Sequence, residues 1–301
     1  MLIVDEDTIR SAVTLRDARV TVAHAFELLS RGEVIAPTEL SMTLPNGGEV
    51  HVKGAHLAGS PWVSFKVATG AFGGPNHGYT SVIDAATGAP CALLRDGGWL
   101  TEIRTAAASA VASQALANPG STSVAILGAG IQAGYQIAAM REAFPIEQVT
   151  VWSRTAASRD RFASAHDATA EPTVQDAVRN ADIVICCTPS TEPILDIGWL
   201  APGTHVTAVG ADTASKRELD GGVLERCDVL VCDDIEVSLA VGELHHQAAA
   251  RARAVTLGDV LTGESDGRID AQQITVADLC GLGIQDAAMA DLVMATIETG
   301  Q

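Results

Sequence analysis

Apolar and polar positions follow two rhythms along the 301 residues. From Thr14 to Arg31, Val20, Ala23, Phe26 and Leu29 recur at helical spacing and predict a helix. From Val34 to Leu94 the rhythm becomes strand-like. Short β-rich runs there are separated by the turn signals Pro45-Asn-Gly-Gly, Gly59-Ser-Pro, Gly73-Gly-Pro-Asn and Ala86-Thr-Gly-Ala-Pro. Thr101 to Ala117 is helical and rich in small residues, and Asn118-Pro-Gly-Ser reads as a linker. Residues 122–275 then alternate between the two rhythms. Candidate strands are Ser123–Leu127, Gln148–Trp152, Asp182–Thr188, His205–Val209 and Asp228–Cys232, with helical patterns filling most of the intervals. Asp286 to Glu298 predicts a closing helix. Strands alternating with helices imply an α/β fold with a doubly wound parallel sheet, preceded by a mixed α+β region.

Composition narrows the function classes. The chain is 47% hydrophobic and 19% charged, enough apolar material for roughly two domains. The formal net charge of −18, with no basic block, argues against nucleic acid and anionic membranes as partners. No signal peptide is evident at Met1-Leu-Ile-Val-Asp-Glu-Asp, and no apolar run approaches the roughly 20 residues of a membrane span. The six cysteines form no C-x-x-C pair and sit mostly in apolar strand-like runs. They read as buried reduced thiols of a cytoplasmic protein rather than metal ligands.

The first chemistry-bearing motif is Gly128-x-Gly130-x-x-Ala133, between a predicted strand and a predicted helix. Gly128 permits the tight turn, Gly130 lets backbone approach a phosphate, and Ala133 lets helix and strand pack closely. The helix N-terminus at Ile131 and Gln132 adds oriented N–H groups suited to a dinucleotide pyrophosphate. The alternative is an ordinary glycine-rich turn. The next strand ends at Ser153-Arg154-Thr155, without the acid that accepts from a ribose 2′-OH in NAD sites. Hydroxyls and a guanidinium suit a 2′-phosphate, so the expectation is NADP(H) over NAD(H), unless Arg154 is merely solvated. Thr188, Pro189 and Ser190 follow the third strand, and Val209 and Gly210 end the fourth. Both loops are placed where the cofactor would lie.

The second signal is cationic. A two-residue turn at Gly59-Ser60 sets Lys53 opposite Lys66, two of only three lysines in the chain. Like charges directly opposite destabilise a sheet, so the pairing suggests an anion between them, unless the register slips. Arg104, near the start of a helix of tiny apolar residues, needs a partner if buried, and its fork suits a carboxylate. The alternative is a surface arginine. Asp212 lies just beyond a parallel strand, where ligands of open α/β sheets bind, and is the candidate acid/base; it can equally cap the next helical turn. Asp286, after Gly281-Leu-Gly, reads as a possible N-cap.

Together, Phe65-Lys66-Val, Leu100-Thr-Glu-Ile-Arg104-Thr-Ala-Ala-Ala-Ser-Ala, Leu127-Gly-Ala-Gly-Ile-Gln-Ala, Trp152-Ser-Arg-Thr, Thr191-Glu-Pro-Ile-Leu, Ala208-Val-Gly-Ala-Asp212 and Gly283-Ile-Gln-Asp286 resemble the ornithine cyclodeaminase/μ-crystallin family, in order and over nearly the whole chain. The resemblance implies a Rossmann domain at 119–282. It implies a substrate and dimerisation domain from residues 1–118 plus the C-terminal helix, 283–301, and hence a homodimer. It implies that Lys66 and Arg104 bind a substrate α-carboxylate and that Asp212 is the catalytic acid/base beside Lys66. Two departures stand out. Ala36-Pro-Thr38-Glu39 has no arginine where family members often grip the carboxylate. Lys53 stands where ornithine-using members place an acid.

The expected function is therefore an NAD(P)-dependent oxidoreductase of a small α-amino or α-imino acid. Lys53 would select a second carboxylate, as in an iminosuccinate reductase. The alternatives are an ornithine cyclodeaminase and a crystallin-like NADP binder without turnover.

Overall fold

The computed structural model describes residues 1–73 and 77–299. Three residues of the Gly73-Gly-Pro-Asn turn, and positions 300 and 301 of the predicted C-terminal segment, lie outside the described residues. The chain forms two compact units, Met1–Ala107 with Leu282–Gln301, and Ala108–Gly281. The division falls inside a helix rather than at Asn118-Pro-Gly-Ser, because that helix runs unbroken from Trp99 to Leu116.

The first unit opens with β1 (Leu2–Asp5), α1 (Glu6–Ala12) and α2 (Leu15–Ser30). A capping box starts α2: Asp17 N–H donates to Thr14 Oγ1 (3.1 Å) and Thr14 N–H to Asp17 Oδ2 (3.3 Å). Its buried stripe is Ala18, Val22, Ala25, Phe26 and Leu28, while Val20 is exposed. The predicted stripe of Val20, Ala23, Phe26 and Leu29 steps by three and so drifts around a 3.6-residue helix; only Phe26 belongs to the true buried face.

Then come β2 (Val34–Ile35), β3 (Leu40–Thr43), β4 (Glu49–Leu57), β5 (Trp62–Gly70), β6 (His77–Asp84), β7 (Pro90–Arg95) and α3 (Trp99–Leu116). The sheet runs β1-β7-β6-β5-β4-β2, with β3 also paired to β4. It is antiparallel except for β1 on β7.

The β4–β5 ladder has the expected register, with Lys53 directly opposite Lys66. The turn that sets it differs from expectation. Ser60 N–H donates to Leu57 C=O (3.0 Å), so the tight turn is Leu57–Ser60, and Gly59 takes a left-handed φ of +84° at its third position. Pro61 lengthens the loop on one side and Ala58 on the other, so the pairing is unchanged.

The second unit contains β8 (Ser123–Leu127), α4 (Ile131–Ala143), β9 (Gln148–Trp152), α5 (Ala156–His166), β10 (Thr169–Ala170), α6 (Val174–Val178), β11 (Ile183–Cys186), β12 (His205–Ala208), α7 (Gly221–Arg226), β13 (Val229–Cys232), α8 (Ile235–Val241), α9 (Glu243–His246), β14 (Ala254–Thr256), α10 (Leu257–Thr262) and β15 (Thr275–Asp278). The sheet is wholly parallel, in the order β10-β9-β8-β11-β12-β15-β13-β14. Strand order reverses between β8 and β11, the switch point at which doubly wound sheets bind ligands. The central strands are buried throughout, as crossover helices on both faces require. β15 lies between β12 and β13, a strand absent from the sequence reading. The chain then returns to the first unit as α11 (Gly283–Thr299), which packs on α2, β4 and β5.

Candidate functional site

In the first unit, small residues let α11 reach the sheet. A Cβ on Gly283 would lie 2.7 Å from Gly54 C=O of β4, and a Cβ on Gly54 would lie 2.4 Å from the Phe65 ring. The first turn of α11 therefore rests against the backbone next to Lys53, and this close approach sets Asp286 on Lys66.

Lys66 donates to Asp286 Oδ1 (2.9 Å) and to Thr101 Oγ1 (3.3 Å). Arg104 Nη1 donates to Gln285 Oε1 (2.9 Å), while its Nε stands 3.3 Å from Asp286 Oδ1, an ion pair without hydrogen-bond alignment. Lys66, Arg104 and Asp286 are each 5–7% exposed, and Gln285 is fully buried. Burial lowers the Lys66 ammonium to about 8, against the raising influence of Asp286. Burial opposes ionisation of Asp286, but Lys66 and Arg104 hold its carboxyl below the ordinary value.

Within these three residues two cations share one carboxylate, an excess of one positive charge in a nearly dry setting; the buried Asp96 carboxyl, raised chiefly by burial, also feels Lys66. Asp286 Oδ2, Arg104 Nε and Gln285 Nε2 also lack hydrogen-bond partners. A bound carboxylate would neutralise the surplus, since buried charge is tolerated only when paired.

Each of the two facing lysines meets a carboxylate of the protein itself, Lys66 that of Asp286 and Lys53 that of Glu39. Lys53 pairs with Glu39 (3.0 Å), and Glu39 also meets His51 Nδ1 (2.7 Å). Burial works against the Glu39 carboxylate, but His51 and Lys53 hold it below the usual range. Lys53 thus has a counter-ion of its own, as Lys66 has in Asp286. Glu39 stands in the very stretch where the family arginine was missing.

In the second unit, Gly128 follows β8 with φ +136°, and a Cβ there would lie 2.8 Å from Cys187 C=O. Only glycine fits both demands. Gly130 is the N-cap of α4 and offers no side-chain cap; a Cβ on it would meet open space. The first-turn N–H groups of α4 thus keep no cap of their own, as an anion site requires. Ile131 is exposed, Ala133 is buried, and Gln132 accepts from Gln136 (3.0 Å). Beyond β9, Ser153 is half-buried and Arg154 and Thr155 are exposed. Of the loop after β11, Thr188 and Ser190 are half-buried and Pro189 is exposed; Val209 and Gly210 are half-buried beyond β12.

Asp212 is exposed and pairs with Lys216 (2.5 Å). All three lysines therefore pair with carboxylates. Asp212 and the Lys66–Arg104–Asp286 cluster belong to different units.

The sequence pattern missed Asp286, Gln285, Glu39 and Glu218 as site residues. Asp286 carried little signal, because an acid in the first turn of a helix is favoured by the helix dipole whatever else it meets. Glu218 carried none. It is buried and accepts from Thr188 N (2.6 Å), Thr188 Oγ1 (2.8 Å) and Gly210 N (2.8 Å). The six cysteines are free, four of them buried, and no helix among the described residues is long and apolar enough to cross a membrane.

Comparison with known proteins agrees with this geometry. The model of the ornithine cyclodeaminase/mu-crystallin family matches residues 2–301. An uncharacterized cyclodeaminase of Sinorhizobium fredii is 36% identical over 320 residues, spanning 99% of this chain and 96% of that protein. An archaeal alanine dehydrogenase dimer with bound NAD superposes with a TM-score of 0.91 at 28% identity, covering 100% of this chain and 97% of the other. The iminosuccinate reductase of Paracoccus denitrificans in complex with NAD+ gives 0.90 at 27% identity, with the same coverage.

Proposed function

The chain belongs to the ornithine cyclodeaminase/mu-crystallin family, and we propose that within it the protein is an NAD(P)-dependent oxidoreductase of a small α-amino or α-imino acid. The observation that carries this reading is the buried Lys66–Arg104–Asp286 cluster with its one surplus positive charge. A substrate α-carboxylate supplies the missing negative charge. It would sit against the Lys66 ammonium and the Arg104 fork, and so orient the α-carbon. The second unit fits a nicotinamide dinucleotide at the Gly128 turn, with the pyrophosphate at the N-terminus of α4. When bound, the dinucleotide supplies or accepts hydride. Asp212, exposed and held by Lys216, is the group we assign to exchange a proton with the substrate nitrogen.

The cofactor preference we assign is NADP(H), on Ser153, Arg154 and Thr155 and on the lack of an acid at the end of β9. The homodimer is assigned from the archaeal alanine dehydrogenase dimer. The free cysteines fit the reducing cytoplasm. Lys53, paired with Glu39, is the residue we assign to meet the substrate side chain, where it would attract a second carboxylate and repel a cationic group.

The deciding experiment is a screen of pyruvate, glyoxylate and oxaloacetate with ammonia and NADPH or NADH, beside ornithine with catalytic cofactor. Steady cofactor oxidation with a 2-oxo acid supports the reading. Ammonia release from ornithine without net cofactor change would replace it with cyclodeamination. No turnover on any of them, with dinucleotide still bound, would make the protein a binder.

A further inference from the structure

Glu218 is a carboxylate in an unusual place. The loop leaving β11 and the loop leaving β12 carry Thr188 and Gly210, and a single side chain accepts from both. Thr188 N–H (2.6 Å) and Thr188 Oγ1 (2.8 Å) donate to Oε1, and Gly210 N–H (2.8 Å) donates to Oε2. The packing around the junction is closed. A Cβ on Gly210 would lie 2.2 Å from Thr188 C=O and 2.5 Å from Glu218 Oε2. The segment carrying Glu218 threads beside the first loop: Arg217 N–H donates to Ser190 C=O (2.8 Å), and Leu219 bridges Leu195 in parallel.

Glu218 is itself seated by a second buried acid. Glu243 accepts from Glu218 N–H (2.7 Å) and Leu219 N–H (3.1 Å). Neither carboxylate has a cation in hydrogen-bond contact among the described residues. Burying two acids side by side is expensive, and neutral residues would fill the same space at lower cost. An arrangement this costly, placed where two adjacent parallel strands end, has a use other than packing.

We propose that Glu218 is a positioning residue that ties loops 188–190 and 209–212 into the shape that receives the dinucleotide, with Glu243 as its seat. This rests on the reading that the second unit binds NAD(P)(H). All three donors point at the carboxylate, so the tie is strongest when Glu218 is ionised; protonation removes the charge assistance from these bonds. Burial pushes Glu218 up to about 7, the donors Thr188 and Gly210 and the nearby Lys216 opposing. The other titratable groups facing it are Glu243 and Cys186.

The test is NADH binding by fluorescence to the full-length protein from pH 6 to 8.5, with melting temperature recorded alongside. For the wild type, a tie strengthened by ionisation is expected to raise affinity by up to about tenfold from pH 6 to pH 8. Glu218→Gln, which presents an N–H to one of the donors, is expected to bind about tenfold more weakly at pH 8 and to lose the pH dependence. Its KM for NADH should rise by a larger factor than its kcat falls. Glu218→Asp should recover part of the pH dependence.

A folded Glu218→Gln protein with wild-type NADH affinity and pH profile would overturn the proposal. So would one whose affinity falls only alongside its melting temperature, with the profile kept. If Glu218→Gln fails to fold, Glu243→Gln carries the test: it is expected to weaken NADH binding and shift the pH profile, and an unchanged profile overturns the tie. Wild-type protein that binds neither NADH nor NADPH would overturn both this inference and the dinucleotide reading, whereas tight binding unaffected by Glu218→Gln would remove only the former.

Discussion

Replacing Asp286 by Asn removes one charge and little volume, and its effect on substrate binding should reverse sign with pH. Asp286 Oδ1 stands 2.9 Å from the Lys66 ammonium. Two unit charges at that separation interact by about 6 kcal/mol at an effective dielectric constant of about 20. Entering water and side-chain rearrangement recover much of this. A residual loss of about 2 kcal/mol moves a pKa by about 1.5 units. Lys66, already lowered to about 8 chiefly by burial, would then titrate below neutrality. Arg104 stays charged, so the anion site weakens without vanishing.

The assay is competitive inhibition of imine reduction by propionate, a carboxylate without nitrogen, from pH 6 to 9. For the wild type, inhibition should weaken as pH rises through about 8. For Asp286→Asn the midpoint should fall by at least one unit, giving about tenfold weaker inhibition at pH 8. At pH 6, where Lys66 is still charged and its counter-ion is gone, the variant should bind propionate as tightly as wild type or more tightly. Equal midpoints for the two proteins, or weaker binding by the variant at every pH, would refute the reasoning. The first would separate Asp286 from Lys66 electrostatically. The second would make Asp286 a structural support.

Two further outcomes follow from the same geometry. If Arg154 holds a 2′-phosphate, as proposed, Arg154→Ala should raise the KM for NADPH about tenfold while leaving that for NADH within about twofold; equal effects on both cofactors would assign Arg154 to the shared part of the dinucleotide or to solvent. Thermal stability should be higher at pH 6.5 than at pH 8.5. Burial raises Glu218 and Asp233 to about 7 and Glu243 to about 8, so the folded state binds more protons than the unfolded chain in this range and loses stability as pH rises. His205 opposes this trend below about pH 6.5, because burial lowers it to about 3 and the unfolded chain then takes up a proton that the fold does not, but one histidine is outweighed by the three acids, so the rise in stability continues on mild acidification; calorimetry of wild type and Glu243→Gln checks this, and a melting temperature that rises toward pH 8.5 would contradict it.

The sequence by itself determined whatever depends on neighbours a few positions apart. The glycine turn at Gly128, the strands at Ser123–Leu127 and Gln148–Trp152, and the helix after Thr14 are local devices, with period, cap and turn written within about ten residues. The facing of Lys53 and Lys66 was also legible, since a hairpin's register follows from its loop, and it survived even though the turn type was misjudged. Tertiary structure alone decided the partners. Asp286 meets Lys66 across 220 positions, brought there by the approach of α11 to Gly54. Glu39 pairs with Lys53 across fourteen positions. β15 inserts between β12 and β13, and Glu218 joins two strand ends. The physical reason is common to all of these. A charge in the sequence reports its own type but not which opposite charge will be desolvated beside it, and that choice is made by packing.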